Sequence, residues 1–335
     1  TTADDAIRFN HKINGTQSLT LESGTGGITL DGVIGGDAIL TGLSVNASDG
    51  STGTIEITDI GDSVAVGVNT GTISIGNADT ASLTLDGTTY KTDGVTIFEA
   101  AAGNTILLTG ASPTITTTND NLTFDGGSIV LSTAGTTTLD TELGGSGAGN
   151  VLIDGTINGT DGESEALVIN GGSGSVTVNG AIGATNPLTT ITIGSAGAGT
   201  IELTNIGGGS AGATGAVNIG NSATTTLTLD GTVYKTGTGA TDYEAKAGNT
   251  ILLTGVSPTV TTGGGDLSFS TGNIVLSNAG TTTFTTGTGT GGNITVAATI
   301  DGTDSESEAL VIESGSGNVQ LQGAIGATNP FTTIT

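Results

Sequence analysis

Apolar residues recur along the chain in pairs separated by one polar or small residue: Leu19/Leu21, Ile28/Leu30, Ile55/Ile57, Val64/Val66, Ile73/Ile75 and Leu83/Leu85. A spacing of two places both apolar side chains on one face of a short β-strand, with Thr, Ser or Glu mostly on the other. The first members of successive pairs lie nine or ten residues apart, with one gap of three times nine. Gly-Asp, Gly-Asn, Ser-Gly and Asp-Gly fill the intervals and supply the positive φ of tight turns. Helical apolar spacing is absent throughout, so the expected class is all-β. Strands this short cannot each bury a face alone, whereas parallel coils stacked on one another share a continuous core. Two or three strands per coil would give coils of roughly 19 to 30 residues. The nine-residue beat favours about 19 to 20, hence roughly seventeen coils and a rod of about 80 Å. The expected fold is a parallel β-helix. A string of immunoglobulin-like sandwiches would need about 100 residues per domain and usually a large aromatic core, and neither is present.

A second, longer period overlies the first. Gly180-Ala-Ile-Gly-Ala-Thr-Asn-Pro187 recurs letter for letter as Gly323 to Pro330, Gly103-Asn-Thr-Ile-Leu-Leu-Thr-Gly110 as Gly248 to Gly255, and Leu83-Thr-Leu-Asp-Gly87 as Leu227 to Gly231. Three copies can be laid over one another, at about 1–155, 156–299 and, cut short, 300–335. The expected organisation is one continuous solenoid over 1–335. All four prolines fall at two repeat positions, Pro113 with Pro258 and Pro187 with Pro330. Proline cannot donate to a ladder, so these mark turns or strand starts. Ile7 to Phe9 matches Val151 to Ile153, and Phe331 to Thr335 stops partway through the strand complete at Leu188 to Ile193. The chain is therefore expected to be a window on a longer polypeptide.

Composition narrows the partners. Gly accounts for 61 of 335 residues, the formal net charge is -26, and Cys, Met and Trp are absent. So much Gly with so few aromatics can signal disorder, but 34% of the residues are hydrophobic and they alternate cleanly. Nucleic-acid binding needs Lys and Arg to replace phosphate counterions; the chain has Arg8, Lys12, Lys91, Lys235 and Lys246, with no basic patch. An anionic membrane surface is disfavoured for the same reason, and no apolar run approaches a transmembrane span. The lack of Cys excludes disulfide staples and suits an extended protein folded outside the cell.

Few residues carry candidate chemistry. Asp161-Gly-Glu163-Ser-Glu165 and Asp304-Ser-Glu306-Ser-Glu308 precede the strands Ala166-Leu-Val-Ile169 and Ala309-Leu-Val-Ile312. Carboxylates at i, i+2 and i+4 in a polar loop could ligate Ca2+ through oxygen; the alternative is a solvated loop. The first copy has Thr16-Gln-Ser18 there and no acid, so its coil closes without an ion. The arrangement also lacks the Gly-rich nonapeptide array of calcium-binding β-rolls. The lone His11 makes neither a triad nor a closed metal set and aligns with the turn residue Gly155. Tyr90-Lys91 and Tyr234-Lys235 either form a small exposed glycan platform or punctuate a turn. Sequons at Asn14, Asn46, Asn121, Asn158 and Asn293 are expected by chance in a chain this rich in Asn and Thr. Outward rows of Thr and Asn could form side-chain ladders between coils.

The run Gly174-Ser-Val-Thr-Val-Asn-Gly-Ala-Ile-Gly-Ala-Thr-Asn-Pro-Leu-Thr-Thr-Ile-Thr-Ile193, followed by Gly199-Thr-Ile-Glu-Leu-Thr-Asn-Ile206 and Gly215-Ala-Val-Asn-Ile219, resembles the repeats of large filamentous-haemagglutinin-type bacterial surface proteins. It is similar to very long repetitive adhesins with units of the form G-x-V-T-x-x-G-x-I-G-A-x-x-P-L-x-x-L-T-I. Ser175 to Leu188 matches best, Asn318 to Phe331 next, and Gly26 to Leu40 more weakly, with Ile39 where Pro is expected. The resemblance implies a right-handed β-helix, export across the outer membrane and a role at the cell surface, and it carries over no catalytic residues. Three classes of function follow. The chain is first a structural or adhesive extracellular rod whose partners are neighbouring chains or cell-surface glycans. It is alternatively a self-assembling subunit of a filament or sheath. A β-helix carbohydrate-active enzyme fits least well, because such enzymes gather unique acids and bases on one face and this chain duplicates its acids.

Overall fold

In the computed structural model, residues 5–143, 147, 149–160, 164–194, 197–287, 291–303 and 308–335 are described. Among the described residues the chain is all-β with no helix, its parallel strands stacked as a β-solenoid of about 12 turns. It forms two compact units, Thr1–Gly174 and Ser175–Thr335, and the division falls inside the second sequence copy.

Each unit is built from three parallel ladders. In the first unit one ladder runs Ile7, Ile28, Ile55, Leu83, Ile106, Ile129, Ile157. A second runs Leu19, Leu43, Ile73, Thr96, Leu122, Val151, and a third Ile13, Ile34, Ile60, Tyr90, Ile115, Leu139, Ile169. The second unit repeats the plan with Ile182, Ile206, Tyr234, Val260, Phe284, Ile312. Its other ladders are Val176, Ile201, Leu227, Ile251, Ile274, Ile300 and Ile191, Val217, Thr241, Leu267, Ile294, Val319.

Successive rungs of these ladders are 21 to 30 residues apart. The expectation of 19 to 20 residues and about seventeen coils is therefore corrected. Each coil takes three beats of the apolar pattern because a three-sided core lets residues from all three faces meet. Leu83, Leu85, Tyr90 and Phe98, from the three strands of one coil, are all fully buried. A second correction concerns Val64 and Val66, which read as a strand pair. Gly61 turns the chain with φ +74, and Asp62 Oδ1 accepts from both Val64 N and Ala65 N at 2.7 Å. The segment bulges as a corner loop, leaving Val64 85% exposed.

Polar side chains secure the corners from inside. Thr92, Thr117 and Thr141 in the first unit, and Thr236, Thr262 and Thr286 in the second, are all buried. Thr92 shares a hydrogen bond with Thr96 at 2.7 Å, as Thr236 does with Thr241. Thr117 and Thr262 donate to the carbonyls of Asp120 and Gly265. Thr141 and Thr286 donate to those of Gly149 and Gly292 at 2.8 and 2.7 Å. Each hydroxyl thus satisfies a polar group that a tight corner would otherwise bury unpaired. At another corner Asn77 Nδ2 donates to the carbonyls of Asn46, Ser48 and Ser51. The expected ladders outside are present as well, for example Thr200 Oγ1 to Ser175 Oγ at 2.8 Å and Thr156 Oγ1 to Ser128 Oγ at 3.1 Å.

The few aromatics are concentrated in the core. Tyr90, Phe98 and Phe124 make edge and stacked contacts with centroids 6.3 and 5.2 Å apart. Tyr234, Tyr243, Phe269 and Phe284 form the corresponding column, at 6.5, 5.4 and 4.8 Å. Pro113 and Pro258 sit just before the strands Thr114–Thr117 and Thr259–Thr262, as their missing donors require.

Candidate functional site

The two acidic inserts each send one carboxylate into the protein. Glu165 opens the strand Glu165–Asn170, whose residues alternate strictly between buried and half-buried. Glu165 shares its parity with Leu167 and Ile169, so its side chain points inward and is 1% exposed. Glu308 likewise shares the parity of Leu310 and is 1% exposed. In both, Oε1 accepts two hydrogen bonds from the threonine five residues earlier. Thr160 N and Oγ1 lie at 3.0 and 2.6 Å from Glu165, and Thr303 N and Oγ1 at 2.8 and 2.7 Å from Glu308. The pair staples the base of the insert. The second oxygen, Oε2, is buried without a hydrogen-bond partner in both residues. For Glu308, desolvation is the largest single influence and pushes the carboxyl up, yet the Thr303 hydroxyl and amide and its own backbone amide together hold it below the usual carboxylate value.

The other four residues of the calcium expectation, Asp161, Glu163, Asp304 and Glu306, lie outside the described residues. Among the described residues no three His, Asp or Glu side chains gather into a metal-holding group. Period-two parity is the signal in the sequence that turns Glu165 and Glu308 inward; the strand expected from Ala166 begins one residue earlier, at Glu165, while the second begins at Ala309 as expected.

Next to Glu308 lies an open cavity of about 400 Å³, lined among others by Val275, Thr299, Asp301, Gly302, Thr303 and Asn329. Asp301 Oδ1 accepts from Thr328 N at 2.9 Å, and Asn329 Nδ2 donates to Gly302 O at 3.1 Å. The cavity wall is thus rich in oxygen.

The remaining candidates take structural places. Tyr90 and Tyr234 are fully buried, which corrects the glycan-platform alternative for the Tyr-Lys pairs. The strands Thr89–Asp93 and Val233–Thr236 turn the rings inward. Each phenol closes a turn: Tyr90 OH accepts from Gly87 N at 2.8 Å and donates to Ile57 O at 2.9 Å, and Tyr234 does the same with Gly231 N and Leu203 O. Burial raises both phenol pKa values far above normal. Tyr90→Phe strands the buried Gly87 N–H, while Ile57 O keeps its bond from Asp86 N, and is expected to cost about 1–3 kcal/mol, measured by urea unfolding against wild type. Lys91 and Lys235 remain outside and donate to the carbonyls of Val64 and Gly209.

His11 lies exposed at a bend. Asn46 is fully buried, and Asn14, Asn121 and Asn293 accept from backbone amides of neighbouring coils, at Asp37, Asn150 and Asn318. The only ion pairs among the described residues are Arg8–Asp31 and Lys12–Asp37. Among the described residues no helix is long and apolar enough to cross a membrane, which says nothing of crossing by strands. No family model matches the chain, and neither a curated protein nor a solved structure matches it.

Proposed function

We propose that the chain is a structural and adhesive segment of a large bacterial cell-surface fibre, exported and displayed outside the cell. The observation that carries this reading is the faithful recurrence of whole structural devices. The tyrosine-closed turn and the corner threonines appear in each unit with corresponding partners, and each unit carries an aromatic column. Repetition of this kind builds length and surface. A single pocket with unlike catalytic groups would call for the opposite. In this reading the protein is not an enzyme, and its coils wind right-handed, as parallel crossovers almost always do. Contacts with glycans or neighbouring chains are spread over outward rows of Thr, Ser and Asn. The net charge of -26 keeps neighbouring chains apart and soluble.

The test is immunogold labelling of intact source cells, combined with binding of the purified chain to a glycan array and to host cells. Label along surface fibres together with saturable glycan or cell binding is the expected result. Label confined to the cell interior overturns the reading. Ordered sheets or filaments formed by the purified chain alone would instead favour the filament or sheath alternative.

A further inference from the structure

Glu308 poses a specific electrostatic problem. The residue is 1% exposed and its Oε1 is satisfied by Thr303, while Oε2 has no partner. A buried, unpaired carboxylate oxygen costs several kcal/mol unless something compensates it. A native structure that keeps such an atom calls for a water or an ion. Among the described residues no Lys or Arg pairs with Glu308; the ion pairs are Arg8–Asp31 and Lys12–Asp37. The same orphan atom occurs at Glu165, with the same threonine pair. A chance defect is a poor account of something present twice.

A glycine packs against Oε2. A methyl group on Gly302 would lie 3.0 Å from Glu308 Oε2 and 3.6 Å from the Asn329 carbonyl oxygen. Gly302 and Asn329 also line the cavity that carries Asp301. A buried carboxylate oxygen without a partner and a backbone carbonyl, next to a cavity wall that carries a second carboxylate, have the donor chemistry of a hard cation.

We propose that Glu308 Oε2, the Asn329 carbonyl and the adjoining cavity wall bind a hard metal cation, with Ca2+ the best-suited species, and that this ion ties Glu308 to the neighbouring coil. A single ion neutralises the buried charge and ties Glu308, just before the strand Ala309–Glu313, to the loop at Asn329 in the next coil. The inference holds whether or not the chain belongs to a surface fibre.

The test is calorimetric titration of the whole chain with Ca2+, Mg2+ and Na+ at near-physiological salt, paired with thermal unfolding in each cation. The comparison is with Glu308→Gln and Gly302→Ala. Gly302 has no positive φ, so the alanine crowds Oε2 while keeping the carboxylate and its threonine; it stays informative if Glu308→Gln folds poorly. Saturable binding by the wild-type chain, weakened about tenfold or more at one site in both variants, is the expected result, with a smaller rise in melting temperature on adding the cation. Saturation by Mg2+ or Na+ in place of Ca2+ would keep the site and change the ion. Absence of saturable binding would overturn the proposal, and so would variants that titrate like wild type. Binding lost in an Asp304→Asn/Glu306→Gln double variant but untouched by Glu308→Gln would overturn it too, by moving the ion to the other acids.

Discussion

Gly231→Ala is expected to cost about 3–5 kcal/mol and to melt the second unit first. A methyl group there would lie 1.3 Å from the Thr204 carbonyl oxygen and 2.6 Å from Asn205 Oδ1. Backbone cannot yield that far without moving a whole coil. The displacement would also break the Gly231 N–H bond to Tyr234 OH and loosen Asn205 Oδ1 from Thr232 N and Val233 N. Three linked hydrogen bonds fail together, which is why the expected loss exceeds that of ordinary overpacking. Gly87→Ala should do the same in the first unit, where the Thr58 oxygen is again 1.3 Å away. The control is Gly209→Ala. It meets nothing within 4 Å and has no unusual φ, so it should stay within about 0.5 kcal/mol of wild type. Urea unfolding followed by far-ultraviolet circular dichroism measures all three. An alanine at Gly231 as stable as the Gly209 control would refute the close approach.

Phe269→Ala carries the second large effect, a loss of about 3–5 kcal/mol. The ring is fully buried between Tyr243 at 5.4 Å and Phe284 at 4.8 Å, in a core otherwise made of Ile, Leu and Val. Neighbouring coils are held at strand spacing by their ladders and cannot collapse into the hole, so the cavity term is expected in full. Phe269→Leu retains most of the volume and should recover more than half of the loss. Chemical unfolding of the two variants, read by tyrosine fluorescence from Tyr243, distinguishes a packed column from a loosely filled one. Equal stability of the Ala and Leu variants would exclude the packed column.

The short beat revealed the strands clearly, because Ile28/Leu30, Ile55/Ile57 and Leu83/Leu85 each bury both members. It left the coil length hidden. A beat of nine is common to two-sided and three-sided coils, and only pairing decides how many beats make a circuit. The clue lay in the one long interval, Ile28 to Ile55, which is itself a ladder step. Tyr90 and Tyr234 escaped for another reason. Their strands alternate an aromatic with threonine, and a buried Thr92 or Thr236 does not register as apolar although it packs inward. Hydroxyls that bond to corner carbonyls behave as core residues. Glu165 and Glu308 were assigned to a loop on charge, where parity with Leu167 and Leu310 would have placed them inside. Charge sets the cost of burial; the alternation of the strand sets its direction.

The bulge at 61–67 sits between two ladder contacts, Ile60 to Tyr90 and Val68 to Thr92, so both ends of the loop are pinned while its middle is free to grow. Doubling the length of such a loop costs only about 0.6 kcal/mol in closure entropy. Coils of 21 and of 30 residues can therefore share one register. For evolution, the corners are graft sites: new segments can be added, tried and discarded there one coil at a time, without renegotiating the fold beneath them.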